Sequence, residues 1–357
     1  MSIINITQTD NEKQPLFFGN EGMGLQRYDK FRYEQIMKLF KQQMSFFWRP
    51  EEISVQKDRG DFMNLTEGEK FIFTKNLGYQ ILLDSVQARG IANIAEYMSN
   101  LESEAFSKSW EFFETIHSYS YTYVIKGVYA DPSIVFDSIG KDENIVKRCT
   151  SVTKYYDDLI DAIPGTSQDD LKKKLYLTLM SVNILEGIRF YVSFACSFAF
   201  AENKKMEGNA KIISLILRDE NLHLGFTQYI LNKLSEEESE GFQHIVKECE
   251  PIVIQMFKDA AEEEMEWAKY LFTEGQLLGL NEDILIMYMK HLTNSRMRSI
   301  HLQPLFENVK NPIPWIKHWT DSKSVQNANQ ESENISYVAG ALNSDLDSAE
   351  FGDYGDL

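Results

Sequence analysis

Residues that punctuate short elements are scarce in this chain. Its 357 residues include only 8 Pro and 19 Gly, fewer than a loop-rich β-sandwich or a dinucleotide-binding α/β chain of this size needs, so long helices are expected. Cysteine is scarcer still. Cys149, Cys196 and Cys249 fit neither a disulfide framework nor a zinc cluster, and that usage points to a reduced, cytoplasmic setting. Positive charge is also short: 36 Lys and Arg stand against 54 Asp and Glu, a net charge of −18. A nucleic-acid groove or an anionic membrane surface is therefore an unsuitable partner. The opening MSIINITQTDNEKQP has no basic stretch and no apolar run, which argues against a secretory leader. Sustained period-two alternation and a phosphate-binding P-loop are missing too.

What is present is the composition of a soluble globular protein, 43% hydrophobic and 25% charged. Residues 175–200, LYLTLMSVNILEGIRFYVSFACSFAF, are long enough to cross a bilayer. Asn183, Glu186 and Arg189 interrupt the run where each would be costly in lipid, so a helix buried inside a large soluble bundle is expected instead. From Tyr28 to about Ile316 apolar positions recur at three and four residues. The connectors fall at Arg49–Asp61, the Asp131–Pro132 turn, Pro164–Asp170 and Ser235–Glu240. The expected organisation is an N-terminal arm over 1–25, one all-α helical domain over 26–320, and a tail over 321–357. That tail carries eight acidic residues and one Lys with few large aliphatics, the composition of a flexible segment.

The chemistry sits in two Glu-x-x-His words, Glu114–His117 and Glu220–His223, which use two of the six histidines. On a helix, residues three apart project from one face about one turn apart, so both can reach the same ion. Each word follows an isolated acid in an apolar helix: Asp84 stands 30 positions before Glu114, and Glu186 stands 34 before Glu220. The same unit thus occurs twice, a carboxylate helix followed by a Glu-x-x-His helix. Four carboxylates and two imidazoles suit a pair of first-row ions such as iron or manganese, and helical bundles hold such sets in their cores. Without metal the four acids would repel one another in an apolar interior. Each piece also has an ordinary reading. A single Glu-x-x-His is commonly a solvated pair, Asp84 could turn or cap its helix, and Arg189 at i+3 could hold Glu186 in a buried ion pair.

These residues lie in strings that resemble the small, radical-generating subunit of class I ribonucleotide reductase, a ferritin-like family. The strings are FFWRPEEISVQKDR, WEFFETIHSYSYTYVIK, KKKLYLTLMSVNILEGIRFYVSFACSFAFAE, MEGNAKIISLILRDENLHL and NPIPWIKHW. The resemblance covers nearly the whole chain and is greatest to class Ia. It implies a ferritin-like helical bundle with two iron ions per chain, manganese being the alternative metal. The implied ligands are Asp84, Glu114, His117, Glu186, Glu220 and His223, and the implied radical residue is Tyr121, seven positions after Glu114. Phe190, Phe194 and Ile216 match the apolar radical pocket, although a Phe and Ile stripe is also ordinary core. Trp48, Asp219 and Tyr337 match the long-range transfer path, with Asp219 linking the indole to His117. Glu331 and Glu333 both remain candidates for a functional tail acid. The connector around Pro164–Asp170 is short against longer class Ia relatives.

The resemblance further implies a homodimer, a large catalytic subunit that receives the acidic tail, and O₂ with an electron donor for cofactor assembly. The reaction implied is reduction of ribonucleotides to deoxyribonucleotides. An iron-storage protein of the same fold would need neither the Trp48 relay nor a tyrosine-bearing tail. A ferritin-like oxygenase would need its own substrate channel, and a metal-free scaffold leaves four inward acids unexplained.

Overall fold

Twelve α-helices and no strand occur among the residues described by the computed structural model, which are 4–7, 11–19, 22–162 and 165–320. They are α1 (Glu34–Ser45), α2 (Gln56–Asn64), α3 (Glu67–Ala95), α4 (Leu101–Val128), α5 (Ser133–Ile139), α6 (Glu143–Ile160), α7 (Gln168–Ile184), α8 (Tyr191–Glu202), α9 (Glu207–Glu236), α10 (Gln243–Leu271), α11 (Glu282–Ser299) and α12 (Lys317–Thr320). Polar caps open the long ones. Thr66 accepts the Glu69 amide while the Glu69 carboxylate takes the Thr66 amide, a capping box that starts α3. Asn100 and Asp142 cap α4 and α6 in the same sense, each contributing about 1 kcal/mol.

Helices α3 and α4 pack together, and α9 lies against α4, α7 and α8; α6 and α10 cover the outer side of α7. This arrangement is an all-α helical bundle, as the periodicity predicts. Its centre is the apolar run foreseen as a buried helix. The stretch Gln168–Glu202 is long and apolar enough to span a membrane, yet every residue from 178 to 201 is buried by protein.

That run is not one unbroken α-helix, as its periodicity suggested. Leu185–Arg189 form a π-helical turn between α7 and α8. A π turn widens the helix by one residue and leaves carbonyl groups to be satisfied from outside. Here the Arg296 Nε–H donates to the Gly187 carbonyl at 3.0 Å.

A second difference lies in the expected connector Arg49–Asp61. It holds a 3-10 turn, Pro50–Glu52, and most of α2. Helix α2 is polar, and its one buried side chain, Asp58, has a distant task. Its carboxylate accepts the Gly208 amide at 3.0 Å and the Asn209 amide at 2.6 Å. These open the first turn of α9, whose own N-cap, Met206, offers no side-chain acceptor. Tertiary capping of this kind leaves no local periodic signal. Part of the expected N-terminal arm is also tied down: Leu16 and Phe17 are buried, and the Leu16 amide donates to Glu240 at 2.8 Å.

Candidate metal centre

Each word of the repeated unit arrives on its own helix. Asp84 projects from α3, Glu114 and His117 from α4, Glu186 from the π turn, and Glu220 and His223 from α9. All six side chains are fully buried. They form two groups, Asp84–Glu114–His117–Glu220 and Glu114–Glu186–Glu220–His223, with potential ligand atoms within 4.8 Å of one another in each. Glu114 and Glu220 belong to both.

The shared acids divide their oxygens between the halves. His117 Nδ1 stands 3.5 Å from Glu114 Oε2 and 3.1 Å from Glu220 Oε1. His223 Nδ1 stands 3.1 Å from Glu114 Oε1 and 2.8 Å from Glu220 Oε2. Each carboxylate therefore turns one oxygen to each imidazole, the disposition of a bridging ligand. Both oxygens of Asp84, Glu114 Oε2, Glu186 Oε2 and Glu220 Oε1 have no hydrogen-bond partner. Buried acceptors converging without donors are costly unless a cation joins them. Arg189 is not that cation. Its guanidinium pairs with Glu263 at 2.8 Å and lies 3.7 Å from Glu264, so the ordinary reading of Glu186 as an Arg189 ion pair does not apply.

The titration behaviour follows from the same crowding. Burial, reinforced by Glu114 and Glu220, pushes Asp84 well above the usual carboxylate range. Burial and the neighbouring Glu220 and Glu114 charges do the same to Glu186. Burial opposes ionisation of Glu220 as well, but His117 and His223 hold it low. Both imidazoles are raised against their own burial, His117 chiefly by Glu220 and Asp219, and His223 by Glu114 and Glu220. Four acids and two imidazoles crowded into an apolar interior are a charge set that two divalent cations would offset. Metal binding to such a set releases protons. Hard oxygens with two imidazoles and no thiolate fit a first-row pair.

Outside this shell, His117 Nε2 meets Asp219 Oδ2 at 3.1 Å, and the same oxygen accepts the Trp48 indole N–H at 2.8 Å. The Trp48 and His117 rings lie 6.4 Å apart and 25° from parallel. On the other side His223 Nε2 meets the Gln43 amide at 2.6 Å. Trp110 stacks on His223 at 5.0 Å and donates its indole N–H to Glu114 at 2.8 Å. Tyr121, one turn beyond His117, is fully buried, with Asp84 the acid nearest in effect to its hydroxyl. Burial, then the nearby Asp84 charge, holds that phenol well above its ordinary range. Phe190, Phe194 and Ile216 are fully buried, the two Phe rings stacked at 5.5 Å. Tyr337, Glu331 and Glu333 lie outside the described residues.

Sequence reasoning missed Gln43, Gln87 and Trp110. The Gln43 amide sits four positions after Leu39 and seven after Ile36 on the buried stripe of α1. Gln87 sits three after Asp84 on α3. A polar residue at an apolar periodic position was the available signal.

Comparison with known proteins bears on this centre. Residues 26–312 match the family described as ribonucleotide reductase, small chain. The ribonucleoside-diphosphate reductase subunit beta of Haemophilus influenzae is 47% identical over 376 aligned positions, covering 99% of this chain and 100% of that one. Among solved structures, the ribonucleotide reductase R2 subunit from Clostridium botulinum matches with a TM-score of 0.81 at 28% identity, over 90% of this chain and 98% of that one. The dimanganese(II) protein of Streptococcus sanguinis, at 17% identity and TM-score 0.67 over 85% of this chain and 100% of that one, shares the fold alone.

Proposed function

The chain belongs to the small-chain family of ribonucleotide reductase, and we propose that it is a class Ia member that generates a stable radical on Tyr121 and passes it to a large subunit. It is the beta subunit of a ribonucleoside-diphosphate reductase, an oxidoreductase that acts with a large subunit, in a family that is typically homodimeric. Its work lies in the helical domain over 26–320, which the family match nearly spans, with an arm before it and an acidic docking tail over 321–357. Its setting is the cytoplasm.

Asp84, Glu114, His117, Glu186, Glu220 and His223 would hold two iron ions, with manganese as the alternative. The metal pair would supply, with O₂ and an external electron donor, one-electron oxidising power that side chains lack. The division of Glu114 and Glu220 oxygens between the two imidazoles is the observation that carries this reading. Tyr121 gives up one electron and its phenolic proton, and Asp84 is the acid whose charge bears on that hydroxyl. Tyr121 is fully buried, and Phe190, Phe194 and Ile216, buried in the same apolar core, are the proposed pocket that keeps water and reductants from the resulting radical. Asp219 orients the His117 ring and takes the hydrogen bond of the Trp48 indole, so it can accept the indole proton when Trp48 passes an electron. Tyr337 is the proposed last carrier before the large subunit, where ribonucleotide is reduced to deoxyribonucleotide.

Reconstitution with iron and O₂, followed by metal counting and electron paramagnetic resonance, tests this. Tyr121→Phe keeps the ring volume and loses only the oxidisable hydroxyl. Expected are two irons per chain in both proteins, with the tyrosyl signal and turnover lost in the variant. A stable tyrosyl signal surviving in Tyr121→Phe assigns the radical elsewhere.

A further inference from the structure

Glu186 differs from the other acids in its support. It rests on a π turn rather than an α-helix, and its two oxygens have different fates. Oε1 accepts from the Gln87 side-chain amide, while Oε2 has no hydrogen-bond partner. Gln87 is itself held. Its carbonyl oxygen accepts the Tyr156 hydroxyl at 2.6 Å, and both side chains are buried. With its oxygen taken by the Tyr156 phenol, the Gln87 amide presents its NH₂ to Glu186. Tyr156 reaches that position from α6 because α3 leaves a gap. A Cβ at Gly90, three residues after Gln87, would lie 2.3 Å from the Tyr156 ring.

We propose that Tyr156 and Gln87 are positioning residues that lock the Glu186 carboxylate so that Oε2 alone is presented to the metal of the His223 half. This rests on the dimetal reading above and adds two residues to it. Burial and the Glu186 and Glu114 charges keep the phenol protonated far above neutrality, so Tyr156 is a constant donor. Without its hydroxyl the Gln87 amide is free to rotate, and its oxygen can then face Glu186 and repel it. Only one of the two ligand groups contains Glu186, so the effect is confined to one metal position.

The test is anaerobic titration of the metal-free full chain with Co(II), followed by calorimetry and visible absorption. Wild type should take up two equivalents. Tyr156→Phe, which keeps the ring against Gly90, should bind the first as wild type and the second about tenfold more weakly, the scale of losing an outer partner of a metal ligand. Gln87→Leu should show the same selective loss, and the double variant should be no worse than Gln87→Leu alone, since the two act in series. Equal weakening of both equivalents, additive losses, or two unchanged equivalents would overturn the proposal. A wild-type protein that takes up fewer than two Co(II) ions would overturn the dimetal reading as well.

Discussion

His117 and His223 stand in equivalent places, three residues after Glu114 and Glu220, and each turns Nδ1 to the shared carboxylates. Their outer nitrogens meet different chemistry. His117 finds a carboxylate, Asp219, which is also bonded to Trp48. His223 finds the neutral amide of Gln43, fixed in turn by Ser109 at 2.9 Å. A carboxylate between an imidazole and an indole can take a proton as charge moves, whereas an amide can only hold a ring in place. The two halves of the repeated unit therefore differ in their outer partners, a carboxylate shared with an indole in one and a neutral amide in the other.

Removing what the halves share should have the largest effect. Glu220→Ala takes a ligand from both groups, so metal content should fall well below two per chain and the tyrosyl radical should vanish. The helical fold should persist, because losing one acid relieves repulsion in the core. Metal analysis and circular dichroism check this, and two tightly bound irons in the variant would remove Glu220 from the site. Tyr337→Phe, at the proposed last carrier of the transfer path, should leave radical and large-subunit association intact yet abolish turnover, while deletion of 351–357 should weaken association and spare the radical. Normal turnover in Tyr337→Phe with loss in Tyr354→Phe would move the relay to the other tail tyrosine.

The sharper contrast is between the two outer partners. Asp219→Asn preserves shape and removes the proton acceptor, so turnover with the large subunit should drop about 100-fold, as for a lost general base, with the Tyr121 radical still formed. Gln43→Leu should weaken metal binding about tenfold and leave turnover of the fully loaded protein near that of wild type. Steady-state rates and metal titrations of the two variants check the pair. Equal effects on turnover would erase the distinction between the halves.

The six candidate ligands were legible because helical spacing alone brings Glu and His three apart onto one face, and because an acid inside an apolar run announces itself. The all-α bundle was legible for the same reason: periodicity near 3.6 runs through most of the chain. What was not legible depends on partners far away in sequence. Asp58 caps α9 across 150 positions, so α2 looked like a connector. The π turn at Leu185–Arg189 is supported by Arg296 from α11, and nothing local in LEGIR distinguishes it from α-helix. Gln87 could have been noticed as a polar residue one turn from Asp84, but its link to Tyr156 requires α6 to lie against Gly90. Arg189 shows the converse: its spacing from Glu186 allowed an ion pair as the ordinary alternative, and α10 supplied Glu263 instead.

Glu114 and Glu220 are the residues proposed to join two metal ions into one centre. Loading the metal-free protein anaerobically with two equivalents of Mn(II) and recording the electron paramagnetic resonance spectrum tests that role directly, because ions bridged by carboxylates are exchange-coupled and ions in separate sites are not. A broadened, coupled signal with little of the six-line pattern of isolated Mn(II) is expected. Two bound ions that together give the full intensity of two isolated six-line spectra would contradict that role.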